Sequence, residues 1–190
     1  MKVLITDNND SFTYNLAQLV EQASHDYPAI IKTNELDLNE VMRFDKILIS
    51  PGPGLPNDFP NILRLLELYS STKSILGICL GHQAIAEFFG AKLFNMNSVY
   101  HGVTAKINIL RSDDYLFRDI PDGFEGGLYH SWAVSHEDFP SELIITSQAQ
   151  DGNIMSLSHR RLDVKGIQFH PESIMTKFGQ QIINNWLEGN

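Results

Sequence analysis

Residues 74–83 read Ser74-Ile75-Leu76-Gly77-Ile78-Cys79-Leu80-Gly81-His82-Gln83. A short apolar run passes directly into Gly-x-Cys-x-Gly, after which Ile85, Ala86, Phe88 and Phe89 follow helical spacing and Gly90 can end the helix. The stretch reads as strand, sharp turn and helix, the spacing of a nucleophile elbow with cysteine at its apex. The glycines have a steric reason: a nucleophile in a strained turn needs neighbours without a Cβ, so that strand and helix can pack closely. At the start of the helix, free N–H groups and the positive dipole end stabilise a thiolate, and the amide after Cys79 can point at an oxyanion. A lone cysteine without such neighbours is more often a small buried hydrophobe. Gly77 and Gly81 argue instead for chemistry.

Toward the N-terminus the same alternation of strand and helix repeats. Lys2 to Thr6 is a β-rich run ending in the turn cluster Asp7-Asn8-Asn9-Asp10, and Phe12, Leu16, Leu19, Val20 and Ala23 then mark a helix. Pro28 to Thr33 and Lys46 to Ser50 are two more strands, with a short helical piece over Leu38 to Phe44 and a helix through Ile62, Leu65, Leu66 and Tyr69. Pro51-Gly52-Pro53-Gly54-Leu55-Pro56 is too rich in Pro and Gly for a regular element and predicts a rigid loop. Beyond Ala91 short strands follow one another at Val103 to Leu110, Glu142 to Gln148, Ile154 to Leu157 and Val164 to Phe169, and Phe178, Ile182, Ile183, Trp186 and Leu187 put one apolar stripe on a last helix. There is no internal repeat or low-complexity tract. The fold expected is α/β: a three-layer sandwich with a mostly parallel central sheet and a smaller set of antiparallel strands, formed as one domain over residues 1–190. Ligands of such sheets sit beyond the carboxyl ends of the strands.

Composition narrows the partners. The 190 residues include 43% hydrophobic and 19% charged side chains, an ordinary globular balance. Lys and Arg number 14 against 23 Asp and Glu, and this net charge of −9 argues against a broad nucleic-acid-binding surface. No apolar run reaches the roughly 18–20 residues of a membrane span, and no cleavage-site pattern follows Met1-Lys2, so the expected setting is cytoplasmic. With Cys79 as the single cysteine, an intrachain disulfide and a Cys-rich zinc site are both excluded.

A cysteine nucleophile needs a base, and seven histidines are available: His25, His82, His101, His130, His136, His159 and His170. Only His170 comes with an orienting carboxylate, in His170-Pro171-Glu172 after the strand Val164 to Phe169. In an extended segment residues i and i+2 share a side, and Pro171 restricts the backbone between them. The Pro51–Gly54 loop lacks the Gly-x-x-x-x-Gly-Lys-Ser/Thr of a phosphate loop, which leaves a structural turn or an oxyanion strap as its readings. His82 and His130 lack a second ligand at fixed spacing, so no metal site is expected.

Four motifs taken together resemble the class I, triad-type glutamine amidotransferases: Ser50-Pro51-Gly52-Pro53-Gly54, Gly77 to Gln83, Tyr129-His130-Ser131, and Gly166-Ile167-Gln168-Phe169-His170-Pro171-Glu172-Ser173. They span most of the chain in the family's order. The opening Asp7-Asn8-Asn9-Asp10-Ser11-Phe12-Thr13-Tyr14-Asn15 resembles the small subunits of anthranilate synthase and aminodeoxychorismate (para-aminobenzoate) synthase. The resemblance implies a flavodoxin-like fold, Cys79, His170 and Glu172 as catalytic triad, amides of Gly54 and Leu80 on the oxyanion, and Gly52, Pro53, Gly54, Gln83, Ser131 and Trp132 around L-glutamine. It further implies a chorismate-binding synthase subunit as partner and no cofactor in this chain, Mg²⁺ being expected only in that subunit. Leu128 and Trp132 stand where the family commonly has Arg and Leu, and Val103 where Lys is common. The residues by themselves also allow a free-standing γ-glutamyl hydrolase, an amidotransferase with another acceptor, or a regulatory binding subunit whose triad is unused.

Overall fold

The computed structural model describes residues 1–97 and 99–189. Among them the α-helices are α1 (Thr13–Ser24), α2 (Pro60–Tyr69), α3 (Leu80–Phe88) and α4 (Gly179–Glu188). The strands are β1 (Val3–Asp7), β2 (Ala29–Lys32), β3 (Lys46–Ile49), β4 (Ser74–Ile78), β5 (Leu93–Asn95), β6 (Val103–Ile109), β7 (Phe124–Leu128), β8 (Trp132–Val134), β9 (Leu143–Ala149), β10 (Ile154–His159) and β11 (Val164–Ile167).

One sheet carries the order β2-β1-β3-β4-β11-β10-β9-β6-β7, and β5 and β8 form a separate pair. From β2 to β11 every pairing is parallel, with Ile49 opposite Gly77 and Gly166 also opposite Gly77. From β11 to β7 every pairing is antiparallel. The sheet thus has the parallel half and the antiparallel extension expected of it, and β1 lies between β2 and β3, a reversal of strand order of the kind where α/β sheets open a crevice.

The parallel strands are apolar throughout because both faces are covered. Along β4, Leu76 and Ile78 join Leu16, Val20, Ile182 and Trp186 on the side of α1 and α4, while Ile75 joins Ile62, Leu66 and Ile85 on the side of α2 and α3. The alternation of side chains in a strand turns one sequence run into two cores. Burying each such Leu or Ile is worth about 1.5–3 kcal/mol.

The strands absent from the sequence expectation are β5, β7 and β8. β7 contains Gly126 and Gly127, which lower strand propensity, yet both glycines are required by close approach. A Cβ on Gly126 would stand 3.1 Å from the Phe169 side chain, and one on Gly127 would stand 2.9 Å from Ser173 Oγ. β7 lies at the far end of the sheet order, but the antiparallel half curls so that Gly127 bridges His170, whose N–H donates to the Gly127 carbonyl at 2.9 Å. The expected strand Val164 to Phe169 ends at Ile167, because Gln168 N–H turns to the Met155 carbonyl (2.8 Å) and the chain then moves across to β7.

Behind the antiparallel half, Lys165 Nζ meets both carboxylate oxygens of Asp114 (3.0 and 3.1 Å) and Ser158 Oγ (3.0 Å), and lies 4.3 Å from the centre of the Tyr115 ring. Both charged side chains are buried. Removing one partner leaves an uncompensated buried charge, so Asp114→Ala is expected to lower unfolding free energy by about 3–5 kcal/mol. Urea titration followed by circular dichroism measures this; an unchanged midpoint would show the pair to be energetically idle.

Candidate active site

β4 runs into α3 through Cys79, which has φ 51° and ψ −100°, a left-handed conformation for a residue with a side chain. Such backbone costs about 1–3 kcal/mol and persists only where the surroundings over-determine it. The surroundings here are the flanking glycines. A Cβ on Gly77 would overlap the Gly81 backbone, and one on Gly81 would come within 2.5 Å of the Ile49 carbonyl oxygen. Cys79 N–H donates to the Ile167 carbonyl at 2.9 Å, fixing the turn to β11. Leu80 opens α3, so its N–H has no acceptor within the helix.

His170 follows β11, and its Nδ1 lies 2.6 Å from Glu172 Oε1, with the two side chains only 4% and 1% exposed. With Nδ1 engaged by the carboxylate, the buried Nε2 has no other hydrogen-bond partner and is left for Cys79. Burial alone would lower the pKa of His170, but the charges of Cys79 and Glu172 outweigh it and hold the imidazole well above its usual value. Thr176 Oγ1 donates to the His170 carbonyl at 2.6 Å and accepts from Gly127 N–H at 2.9 Å, so the main chain of the base is pinned on both sides.

The Pro51–Gly54 loop is seated on Asn8, a fully buried side chain at the carboxyl end of β1. Asn8 N–H donates to Ser50 Oγ (3.0 Å), Asn8 Nδ2 donates to the Ser50 carbonyl (2.7 Å), and Thr33 Oγ1 donates to Asn8 Oδ1 (2.5 Å). A Cβ on Gly52 would lie 2.6 Å from the Asn8 Cβ, and Gly54 has φ 78°, so both glycines are dictated by geometry. In the sequence Asn8 reads only as part of a turn cluster; its anchoring role depends on Ser50 and Thr33, distant in the chain.

Beside Cys79 lies a pocket of about 160 Å³, lined by Gly52, Pro53, Gly54, Leu80, Gln83, Tyr129, His130, Ser131 and Trp132. Every residue expected around glutamine is therefore brought to one place, while His170 and Glu172 sit behind the cysteine. Gln83 is committed to the wall itself: its Nε2 donates to the Trp132 carbonyl at 2.9 Å and to Gln168 Oε1 at 3.1 Å. His130 Nδ1 also donates to the Trp132 carbonyl, at 2.8 Å, so that carbonyl is spent within the protein. A cavity of this size, with a nucleophile, a base and glycine amides at its edge, suits acyl transfer on a small polar substrate.

The class I glutamine amidotransferase profile matches residues 4–189 of the chain. The chain belongs to this family. It is 40% identical over 189 residues to the anthranilate synthase component 2 of Pyropia yezoensis, covering 98% of both chains. It is 35% identical over 189 residues to the aminodeoxychorismate/anthranilate synthase component 2 of Bacillus subtilis, covering 98% of this chain and 95% of that one. A glutamine amidotransferase from Thermotoga maritima shares the fold, with a TM-score of 0.80 at 13% identity over 99% of this chain and 96% of that one.

In this amidotransferase the two histidines first weighed as metal ligands are buried, His130 in the pocket wall and His82 beneath α3, and among the described residues no cluster of His, Cys, Asp or Glu could hold a metal ion. His82 is fully buried against the Gly166 backbone. Burial pushes its pKa down to about 3, and pushes that of His130 down to about 4. Both stay neutral in the fold while the unfolded chain takes up protons below about pH 6.5. The unfolded state then binds more protons, so stability falls with falling pH, by about 1.4 kcal/mol per unit for each fully neutral group. The stability of His82→Gln is expected to decline less steeply than wild type between about pH 6 and about pH 4. Urea midpoints across that range measure it, and parallel curves would contradict a neutral buried His82.

Proposed function

We propose that this amidotransferase is the glutamine-hydrolysing subunit of a chorismate-aminating synthase, making anthranilate, aminodeoxychorismate or both. The observation that carries the chemistry is Cys79 on its strained turn, opening on a small pocket, with the 2.6 Å His170–Glu172 pair behind it. The names of the component 2 relatives support the acceptor.

In the proposed reaction His170 Nε2 takes the proton of the Cys79 thiol as Sγ attacks the side-chain amide carbon of L-glutamine, and the carbonyl π electrons move to oxygen. The N–H groups of Gly54 and Leu80 take the oxyanion, preorganised donors being worth most where charge develops. His170 gives its proton to the amide nitrogen, the C–N bond breaks, and ammonia leaves behind a γ-glutamyl thioester. His170 then removes a proton from water, which attacks the thioester and releases glutamate and the thiol. Glu172 fixes the imidazole tautomer throughout and stabilises its charge. Ammonia freed into water would be diluted and protonated, so we place its consumption on a chorismate-binding subunit covering this site. The reading needs no cofactor in this chain.

Cys79→Ala, mixed with the synthase subunit, is expected to lose glutamine-dependent amination of chorismate entirely while retaining amination from high ammonia. Product formation with each nitrogen source measures both arms. Glutamine-dependent synthesis surviving in Cys79→Ala would sink the assignment.

A further inference from the structure

Glutamine is a zwitterion, and its α-carboxylate needs hydrogen-bond donors once it leaves water. The pocket beside Cys79 offers it no cation. Apart from the thiol, no side chain in the lining ionises at neutral pH, His130 being held neutral by burial. The donors must therefore be neutral ones.

Most polar side chains around the pocket are already committed. Both N–H groups of Gln83 Nε2 are taken, by the Trp132 carbonyl and by Gln168 Oε1, His130 Nδ1 is taken by the same Trp132 carbonyl, and the Tyr129 hydroxyl lies 3.3 Å from Ser173 Oγ. Among the described residues, two side-chain donors of the lining remain without a protein partner: the Ser131 hydroxyl and the Trp132 indole N–H. The two differ chemically. A hydroxyl turns either a hydrogen or a lone pair to its neighbour, whereas an indole N–H only donates and so favours an anion.

Trp132 is half-buried, yet its ring packs into neither hydrophobic core. Its main chain is held from three directions: the carbonyl by Gln83 and His130, the strand by Asn95 opposite it in β5, and the preceding carbonyl of Ser131 by Met96 N–H at 2.8 Å. An aromatic side chain with few rotatable bonds on so firm a base is a preorganised donor. The spacing suits the substrate as well. Gln83, which grips the Trp132 carbonyl, follows Cys79 by one turn of α3, roughly 6 Å along the helix axis, a distance comparable to the length of a glutamine side chain.

We propose that Trp132 is a specificity-determining residue: its indole N–H donates to the α-carboxylate of glutamine and fixes that end of the substrate while the side-chain amide lies at Cys79. The proposal rests on glutamine as the substrate and is independent of which subunit consumes the ammonia. The α-carboxylate does not change during the reaction, so the bond is made equally in the ground state and the transition state. Its loss then appears in KM and leaves kcat nearly unchanged.

The test uses the complex of the full chain with its synthase subunit. Trp132→Phe keeps an aromatic ring and removes the N–H; it is expected to raise KM for glutamine about tenfold or more, the weight of a hydrogen bond to a charged group. Covalent labelling of Cys79 separates recognition from reactivity. A diazoketone analogue of L-glutamine, which keeps the α-carboxylate, is expected to label Trp132→Phe more slowly by the same factor, while iodoacetamide, which has no carboxylate, labels both proteins at one rate. Equal slowing with both reagents would show a disturbed thiol, and no slowing with either an idle indole; each would overturn the proposal. Trp132→Leu slowed with the diazoketone while Trp132→Phe matches wild type would overturn it too, reducing the ring to an apolar wall. Wild-type Cys79 left unlabelled by the diazoketone but labelled by iodoacetamide would contradict the glutamine reading itself.

Discussion

The left-handed backbone of Cys79 is the constraint from which the rest of the site follows. A residue with a side chain holds that conformation only if strand and helix on either side are clamped together, and here the clamp is an absence of side chains. Gly77 and Gly81 face each other across the turn, Gly81 sits on the Ile49 carbonyl, and Gly166 in the next strand leaves room for His82. α3 can therefore lie against β4 and β11 at a distance that no Cβ would permit. The reward is a thiol presented at the first turn of a helix, where free N–H groups face developing negative charge.

The other parts of the proposed site come from segments far apart in the chain and are brought together by the sheet. Parallel strands place their carboxyl ends side by side, so the loops after β1, β3, β4 and β11 converge. Each loop is then fixed by polar groups that burial makes expensive to leave unpaired. Asn8 satisfies Ser50 and Thr33 and so sets the Pro51–Gly54 strap; Thr176 ties His170 to β7; Gln83 and His130 share the Trp132 carbonyl. These bonds hold loops with little regular structure to the precision that acyl transfer needs. The pocket beside Cys79 is consequently braced on its inner side, while Phe12 and His101 beside Tyr129 are exposed.

Much of this was legible in the chain before folding. Short β-rich runs alternating with helical periodicity identified the parallel half, because strands covered on both faces are apolar in every position. The elbow and His170-Pro171-Glu172 were legible because their chemistry is local: glycines at fixed spacing around a cysteine, and a carboxylate two residues from an imidazole. What escaped was non-local. β7 has two glycines that look like strand breakers until Phe169 and Ser173 are seen pressing on them. Asn8 looks like a turn residue until Ser50 and Thr33 arrive beside it, and the bonds from Gln83 Nε2 to Trp132 and Gln168 join segments far apart in the chain.

The central claim is that Cys79 is the nucleophile, and the most direct measurement is the covalent state of the enzyme during turnover. Wild-type chain, in complex with its synthase subunit, is mixed with glutamine, quenched in acid within one turnover and analysed by mass spectrometry of the intact chain and its peptides. The account predicts a mass gain equal to glutamine less ammonia, located on the peptide containing Cys79 and released by hydroxylamine. Glutamate formed with no adduct on that peptide, or with the adduct on another residue, would contradict it.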